Sequence, residues 1–253
     1  MNYIEPAAAR EMDGLRLALT AHAPAPYSLS ARAILDHHGV PYVPVLQVGG
    51  GPNEDLVTWT GHRNAPVAVY NDEAPRVGWL EILNLAERLG SGPSLVPSDI
   101  DDRMLMVALS NELIGENGFI WDLRIVMLGL GGPEQAAGAR VRNPMYDQYG
   151  YSEEAVARGV DRAGAVLDRL TAQLLAQRDA GRQYIVGDAL SAVDIYWVYF
   201  SQAVGTFPEA VCAMPKGMRT VYDAVGEMLG ERDPILVEQR DWVLAEHGLP
   251  MDF

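Results

Sequence analysis

Leu15-Arg-Leu-Ala-Leu-Thr-Ala21, followed by Ala25-Pro-Tyr-Ser-Leu-Ser-Ala-Arg-Ala-Ile-Leu35, decides how the first third of this chain folds. The first stretch is short and mostly apolar, which predicts a strand buried on both faces. In the second stretch, apolar side chains recur at helical spacing. Ser28 or Ser30 can cap this helix, and Gly39 can end it. The pair therefore predicts a strand that leads through a short loop into a helix.

The next segments extend this unit into a small mixed sheet. Residues 42–48 read as a second strand, in which Pro44 favours an edge position or a bulge. Residues 66–70 read as a third strand, and residues 76–77 as a very short fourth one. Residues 79–89 carry a broad apolar stripe typical of a helix. The order βαβ followed by ββα is that of a thioredoxin-like domain.

The second part of the chain is predicted to be entirely helical. The small residues of Gly90-Ser-Gly-Pro-Ser94 mark a domain boundary, with an α/β domain over 1–90 and an all-α domain over 95–253. One long helix is predicted from Asp99 towards Met127. Further helices are expected to begin near Ser152, Ser191, Pro215 and Pro234.

Composition excludes several classes of function. The 253 residues carry a formal charge of −15 and a single lysine, Lys216, so the cationic surface that nucleic acids or anionic membranes require is not expected. Cys212 is the only cysteine, which excludes an intrachain disulfide and a cysteine-based zinc site. The histidines show no metal-ligand spacing, so no metal is expected. The first residues lack the apolar core of a signal peptide, and we expect a cytoplasmic protein.

The loop between the first strand and its helix is the candidate site for chemistry. A helix N-terminus concentrates unpaired N–H groups and partial positive charge, so it stabilises an anion such as a thiolate. Ser28 is the best-placed hydroxyl donor to that anion, with Tyr27 second. The alternative is that Ser28 and Ser30 are merely helix caps.

Three segments of the chain resemble the cytosolic glutathione transferase superfamily, as a divergent member of bacterial type. They are Ala25–Leu35 with its Pro-aromatic-Ser loop, Asn64-Ala-Pro-Val-Ala68, and Tyr184–Asp194 with a Gly-Asp segment before the capping box of Ser191 and Asp194. The resemblance implies a thioredoxin-like domain followed by a helical bundle, with glutathione as co-substrate. It also implies a homodimer and a ligand cleft between the domains.

The resemblance also assigns roles to particular residues. Pro66 is expected to follow a cis peptide bond and, with Val67, to hold the tripeptide backbone. The family usually has Glu or Gln followed by Ser before its third helix, where this chain has Gly78-Trp79. Trp79 can then donate one N–H to the glutamyl carboxylate, and Arg76 could supply a bidentate contact.

The helix matching residues 117–127 lines the co-substrate cleft in that family. This places Trp121 and Arg124 beside the second substrate, and the tyrosines at 146, 149 and 151 could cover the same cleft. The alternative is that this helix only packs its apolar side chains into the core, with Arg124 exposed to solvent. Ala25 stands where many members carry the catalytic serine or cysteine.

The resemblance implies a leading function and two alternatives. The leading function is a transferase that activates the glutathione thiolate towards a small hydrophobic electrophile. The first alternative is a non-catalytic protein on the same fold that binds a ligand or a partner. The second is a glutathione-dependent lyase or isomerase.

Overall fold

A computed structural model describes residues 1–132 and 145–253 of the chain. Its contacts divide the chain into two compact units. The first comprises residues 1–95 with the later segments 209–214 and 248–253, and the second comprises 96–208 and 215–247. The predicted division into an α/β domain over 1–90 and an all-α domain over 95–253 stays a prediction.

The first unit is built on a three-stranded sheet in the order β2-β1-β3. Strand β1 is Leu15–Thr20, β2 is Tyr42–Gln47 and β3 is Val67–Tyr70. β1 pairs in parallel with β2 and antiparallel with β3, in a register that sets Ala18 opposite Val67. The central strand is buried along almost its whole length, as its apolar sequence predicts.

Pro44 fits the second strand because its missing N–H lies on the side away from β1. The carbonyl of Pro44 accepts a hydrogen bond from the Ile4 amide at 3.0 Å, and the Leu46 amide donates to the Ile4 carbonyl at 2.8 Å. N–H and C=O of one strand residue point to the same side, so Pro44 costs the β1–β2 ladder nothing.

The predicted fourth strand at 76–77 is wrong as a strand. Residue Arg76 makes one isolated antiparallel bridge to Ala68. Each of these two amides donates to the other's carbonyl at 2.9 Å. Two residues before a helix start are too few to form more than this bridge.

Helices surround this sheet. Helix α1 is Pro6–Ala9, α2 is Pro26–His37, α3 is Glu54–Thr60 and α4 is Trp79–Leu89. One apolar cluster of the first unit joins side chains of β1, β2, β3, α1 and α3: Ala9, Ala18, Val45, Leu56, Val67 and Val69.

The second unit is helical throughout its described residues. Helix α5 is Ile100–Ile114, α6 is Phe119–Gly129, α7 is Met145–Gln148 and α8 is Glu153–Asp179. Helix α9 is Ala192–Phe200, continued by a single 3₁₀ turn over Ser201–Ala203. The last two are α10, Lys216–Leu229, and α11, Ile235–His247. Among the helices that the structure describes, none is both long and apolar enough to cross a membrane.

The single long helix predicted from Asp99 towards Met127 is broken into α5 and α6. The chain turns at Asn117, whose φ of 61° is left-handed. Gly118 then begins the second helix, and a Cβ there would lie 2.7 Å from the Glu112 carbonyl oxygen. Gly115-Glu-Asn-Gly118 interrupts the apolar residues here, and its Asn-Gly pair is a turn signal that the prediction of one helix overlooked.

Helix α9 forms the centre of the second unit, because every one of its residues is buried. Ser191 and Asp194 form the predicted capping box at its start. The Asp194 carboxylate also accepts hydrogen bonds from the Ile185 amide at 2.8 Å and the Ser191 hydroxyl at 2.8 Å. Burial raises the pKa of Asp194 to about 6, while these donors hold it down. The box therefore secures the fold of this unit.

Candidate functional site

The first βα turn ends in a helix whose positive end carries no side-chain cap. Helix α2 begins at Pro26, and the N-cap is Ala25, which has no side-chain oxygen to accept from the first amides. The expectation that Ser28 or Ser30 caps the helix is therefore wrong. Proline at the first helical position has no N–H to satisfy, so the start is favoured by sequence. Partial positive charge is left for an added anion.

Ser28 lies inside the first turn of α2 and is only 4% exposed. Its Oγ accepts a hydrogen bond from the Thr20 amide at 3.0 Å, which joins the end of β1 to α2. The Thr20 hydroxyl donates in turn to Gln47 Oε1 at 2.7 Å. The Gln47 side-chain amide nitrogen donates a hydrogen bond to the Arg63 carbonyl at 3.2 Å. Ser28 is thus part of a buried polar network at one end of the sheet.

A narrow cavity opens beside Ser28 within the first unit. Its wall includes Thr20, Ala23 and Arg32, and it is completed by Asp252 and Phe253 among others. Tyr27 lies outside this wall and is half-buried. Ser28 and Tyr27, both predicted to assist the thiolate, are therefore placed differently.

The peptide bond between Ala65 and Pro66 is cis, as the resemblance implies. In the β1–β3 register Val67 lies opposite Ala18, so Pro66, which precedes Val67, lies at the end of β1 that leads into α2. The two halves of the candidate site are therefore joined by the central strand.

The backbone of Val67 is directed into the sheet. Ala68 bonds to Arg76 on the outer side of β3, and successive residues of a strand point to opposite sides. The N–H and C=O of Val67 therefore face β1, and its side chain is 1% exposed. Ala65 is half-buried and makes no backbone–backbone hydrogen bond within the described residues. It is better placed than Val67 to pair with a bound peptide.

The resemblance places the glutamyl carboxylate of glutathione at the start of helix α4. In this chain the carboxylate of Glu81 already occupies that position. Glu81 Oε2 accepts from the Gly78 amide at 2.9 Å and the Val77 amide at 3.2 Å. Trp79, the first residue of α4, is half-buried. A ligand carboxylate at this helix start would meet the negative charge of Glu81.

Arg76 is engaged in an ion pair on the surface of the first unit. Its Nη2 lies 2.6 Å from Glu73 Oε2, and Arg88 binds the same carboxylate at 2.7 Å. The Arg88 guanidinium, assisted by Arg76, holds the pKa of Glu73 below its usual range. A ligand would have to compete with Glu73 for Arg76.

Trp121 and Arg124 lie in the second unit and share one face of α6. The Trp121 ring is 4.6 Å from that of Tyr149, between centroids. The guanidinium carbon of Arg124 is 5.7 Å from the Tyr149 ring centroid. The structure thus brings Trp121 and Arg124 together with Tyr149, one of the three tyrosines predicted to lie near them. Tyr146 is buried instead, and its hydroxyl donates to the Leu128 carbonyl at 3.0 Å.

Sequence reasoning missed two features of the site. Glu81 stands at the third position of a helix that begins after glycine, which is the signal of a carboxylate that bonds back to the N-cap amide. Ala65 has no signal of its own apart from preceding Pro66. Across residues 1–132 and 145–253, no three His, Cys, Asp or Glu side chains are grouped to hold a metal ion.

Known proteins share this fold at low sequence identity. A glutathione S-transferase from Methylobacterium radiotolerans, solved with glutathione sulfonate, has a TM-score of 0.62 at 18% identity, covering 94% of this chain and 95% of that one. The β-etherase LigF from Sphingobium sp. strain SYK-6 has a TM-score of 0.63 at 18% identity, covering 91% and 95%. The yeast prion protein Ure2p in complex with glutathione has a TM-score of 0.53 at 17% identity, covering 90% and 98%.

No protein-family model and no curated protein sequence matches the chain. The structural neighbours are glutathione transferases and proteins of the same fold, which confirms the predicted architecture of a thioredoxin-like unit and a helical one. At these identities the likeness establishes the fold.

Proposed function

We propose that the first unit binds glutathione and that the chain delivers its thiolate to a small hydrophobic electrophile, as a glutathione transferase does. The observation that carries this proposal is the uncapped N-terminus of α2 at Ala25, at the same end of β1 as the cis-Pro66 turn. Several structural neighbours hold glutathione or its sulfonate, which supports the same ligand class here.

The thiolate is the part of glutathione that this site favours most. A free thiol titrates near ~8.5, and helix N-termini lower that pKa. Ala25 brings no oxygen of its own to compete for the first amides of α2. The backbone of Ala65, beside cis-Pro66, is the part of this turn available to the cysteinyl residue, rather than that of Val67.

The glutamyl end of the tripeptide is the weak end of the interaction. Glu81 already accepts from the amides that precede α4, and Arg76 is held by Glu73. We therefore expect weak, millimolar binding of glutathione, dominated by the thiol.

Calorimetric titration with reduced glutathione, S-methylglutathione and glutathione sulfonate tests this proposal. Reduced glutathione and the sulfonate should bind saturably, whereas S-methylglutathione, which has no thiolate, should bind more weakly. In two buffers of different ionisation enthalpy, glutathione should release a proton as it binds. Absence of saturable heat with all three ligands would overturn the proposal.

Replacement of Glu81 by Gln provides the sharpest variant. Removing a negative charge within a few ångströms of the incoming carboxylate should tighten glutathione binding about threefold to tenfold. Glu54→Gln is the matched control, since Glu54 is an exposed acid in the first turn of α3 in the same unit. Equal affinities for both variants would contradict the role of Glu81.

The second candidate is a binding protein without turnover on the same fold. It is favoured by Ala25, which leaves the position of the usual activating side chain without a polar group. Saturable glutathione binding with no conjugation of a common aryl halide would select it, or a lyase or isomerase if another thiol-dependent reaction is found. The homodimer remains a prediction from the resemblance, and the cytoplasmic location remains a prediction from the sequence.

A further inference from the structure

A second ligand-binding feature lies on α6, in the second unit. Trp121 and Arg124 are three residues apart, so they lie on the same helix face. Tyr149, just after α7, contacts both of them: its ring is tilted by 60° to that of Trp121, and the Arg124 guanidinium lies over its face. All three side chains are half-buried. We call these three residues the α6 cluster.

The charge of Arg124 is what sets this cluster apart from core packing. Arg124 forms no ion pair with a carboxylate of the described residues, although the chain has 34 acidic and 19 basic side chains. The acid nearest to Arg124 in sequence is Asp122, which forms an ion pair with Arg162 instead. Arg162 Nε lies 3.1 Å from Asp122 Oδ2. The donors of Arg124 therefore have no carboxylate partner in that part of the chain.

We propose that the α6 cluster binds a planar aromatic molecule that carries a carboxylate. An arginine guanidinium donates two parallel hydrogen bonds to such a group, while Trp121 and Tyr149 offer rings for stacking or edge contacts. A quaternary ammonium ligand, the other common guest of aromatic clusters, is disfavoured by the positive charge of Arg124.

For the proposed transferase, this ligand class restricts the possible electrophilic co-substrates to aromatic acids. That narrower statement rests on the proposed function, whereas binding at the α6 cluster depends only on the second unit. Arg124 would orient the carboxylate, and the two rings would hold the aromatic part.

Calorimetric titration of the full chain with naphthoate, in the absence of glutathione, tests the cluster. Naphthoate should bind saturably. Naphthamide, which keeps the rings without the charge, and cyclohexanecarboxylate, which keeps the charge without the aromatic surface, should each bind at least about tenfold more weakly. Naphthamide binding as tightly as naphthoate would overturn the proposal, and so would naphthoate failing to saturate at millimolar concentration.

Variants localise the binding. Arg124→Gln should weaken naphthoate binding by about tenfold or more, whereas Arg158→Gln, in an exposed arginine of α8, should leave it unchanged. Tyr149→Leu should weaken it, and Tyr149→Phe, which keeps the ring, should preserve it. Equal binding by Arg124→Gln and the unmodified protein would place the ligand elsewhere and overturn the assignment.

The two proposals fail separately. Naphthoate binding without any glutathione binding would support the α6 cluster and reject the proposed function. Glutathione binding without naphthoate binding would reject the cluster alone.

Discussion

At the scale of single residues, Arg16 and Ser28 show how polar groups are placed in a buried strand and helix. Arg16 lies in β1 and is 3% exposed, with its guanidinium bonded to the carbonyls of Gly14 and Asn71. Its guanidinium carbon is 5.5 Å from the ring centroid of Trp59. Ser28 similarly satisfies the Thr20 amide at the other end of the strand. Arg16 Nη2 and the Thr20 amide therefore have partners outside their own strand, which the local sequence does not identify.

Replacing Ser28 by Ala should lower the free energy of unfolding by about 1–2 kcal/mol, since the buried Thr20 amide would lose its acceptor. Chemical denaturation followed by circular dichroism measures this. Ser30→Ala is the matched control: Ser30 is equally buried in α2, but its hydroxyl donates to the Tyr27 carbonyl. The Ser30→Ala variant should lose clearly less stability, because the Tyr27 carbonyl remains within the helix. Unchanged stability of Ser28→Ala would reject the structural role.

At the scale of elements, His38 holds the C-terminal ends of α2 and α4 together. Its side chain is 2% exposed, and Nε2 lies 3.3 Å from Glu87 Oε1. Gly90, just after α4, approaches so closely that a Cβ there would lie 2.4 Å from the Cβ of His38. The same Glu87 accepts from the Leu95 amide at 2.7 Å. Glycine is required here by the close approach of the two helices.

Unfolding should depend on pH through His38. Burial lowers the pKa of His38 below its ordinary value, against the opposing effect of Glu87. Protonation therefore favours the unfolded chain. The stabilisation is present above about pH 6.5 and is lost as the pH falls through the folded-state pKa.

Denaturation midpoints measured between about pH 7.5 and pH 5 test this dependence. His38→Gln should flatten the slope, and His62→Gln, at an exposed histidine of the same unit, should retain it. Identical slopes for the two variants would contradict the assignment to His38.

At the scale of the whole molecule, the order of the chain and the grouping of its contacts differ. Segments 209–214 and 248–253 follow helices of the second unit but belong by their contacts to the first. Arg32 in α2 secures the last of these, with Nη1 at 2.9 Å from Asp252 Oδ1 and 2.8 Å from the Asp252 carbonyl. A late segment thereby forms part of the wall beside Ser28.

Asp252→Asn should lower stability by about 0.5–1 kcal/mol at low ionic strength, with the loss reduced in about 1 M salt, because part of the pair is solvent-accessible. Urea denaturation at the two salt concentrations measures both effects. Asp188→Asn, in the more exposed pair with Arg182, should change stability by less than about 0.5 kcal/mol. A salt-independent loss in Asp252→Asn would show that packing, and not charge, holds the segment.

Several elements of this fold can be predicted from short stretches of the sequence, because the information for them lies within a few residues. Apolar period and capping chemistry within a few residues predicted β1, the helix that follows it and the capping box of Ser191 and Asp194. The cis peptide bond before Pro66 was expected from the family resemblance. The break between α5 and α6 was missed because the apolar residues on either side were read as one stripe, although Asn117-Gly118 between them is a turn signal.

Which groups share a site depends instead on the tertiary structure. It paired Ser28 with the Thr20 amide, directed the backbone of Val67 towards β1 and set Tyr149 against Trp121 and Arg124. These outcomes depend on the directions of backbone groups across strands and on contacts between residues far apart in the chain. No local pattern encodes those directions or contacts.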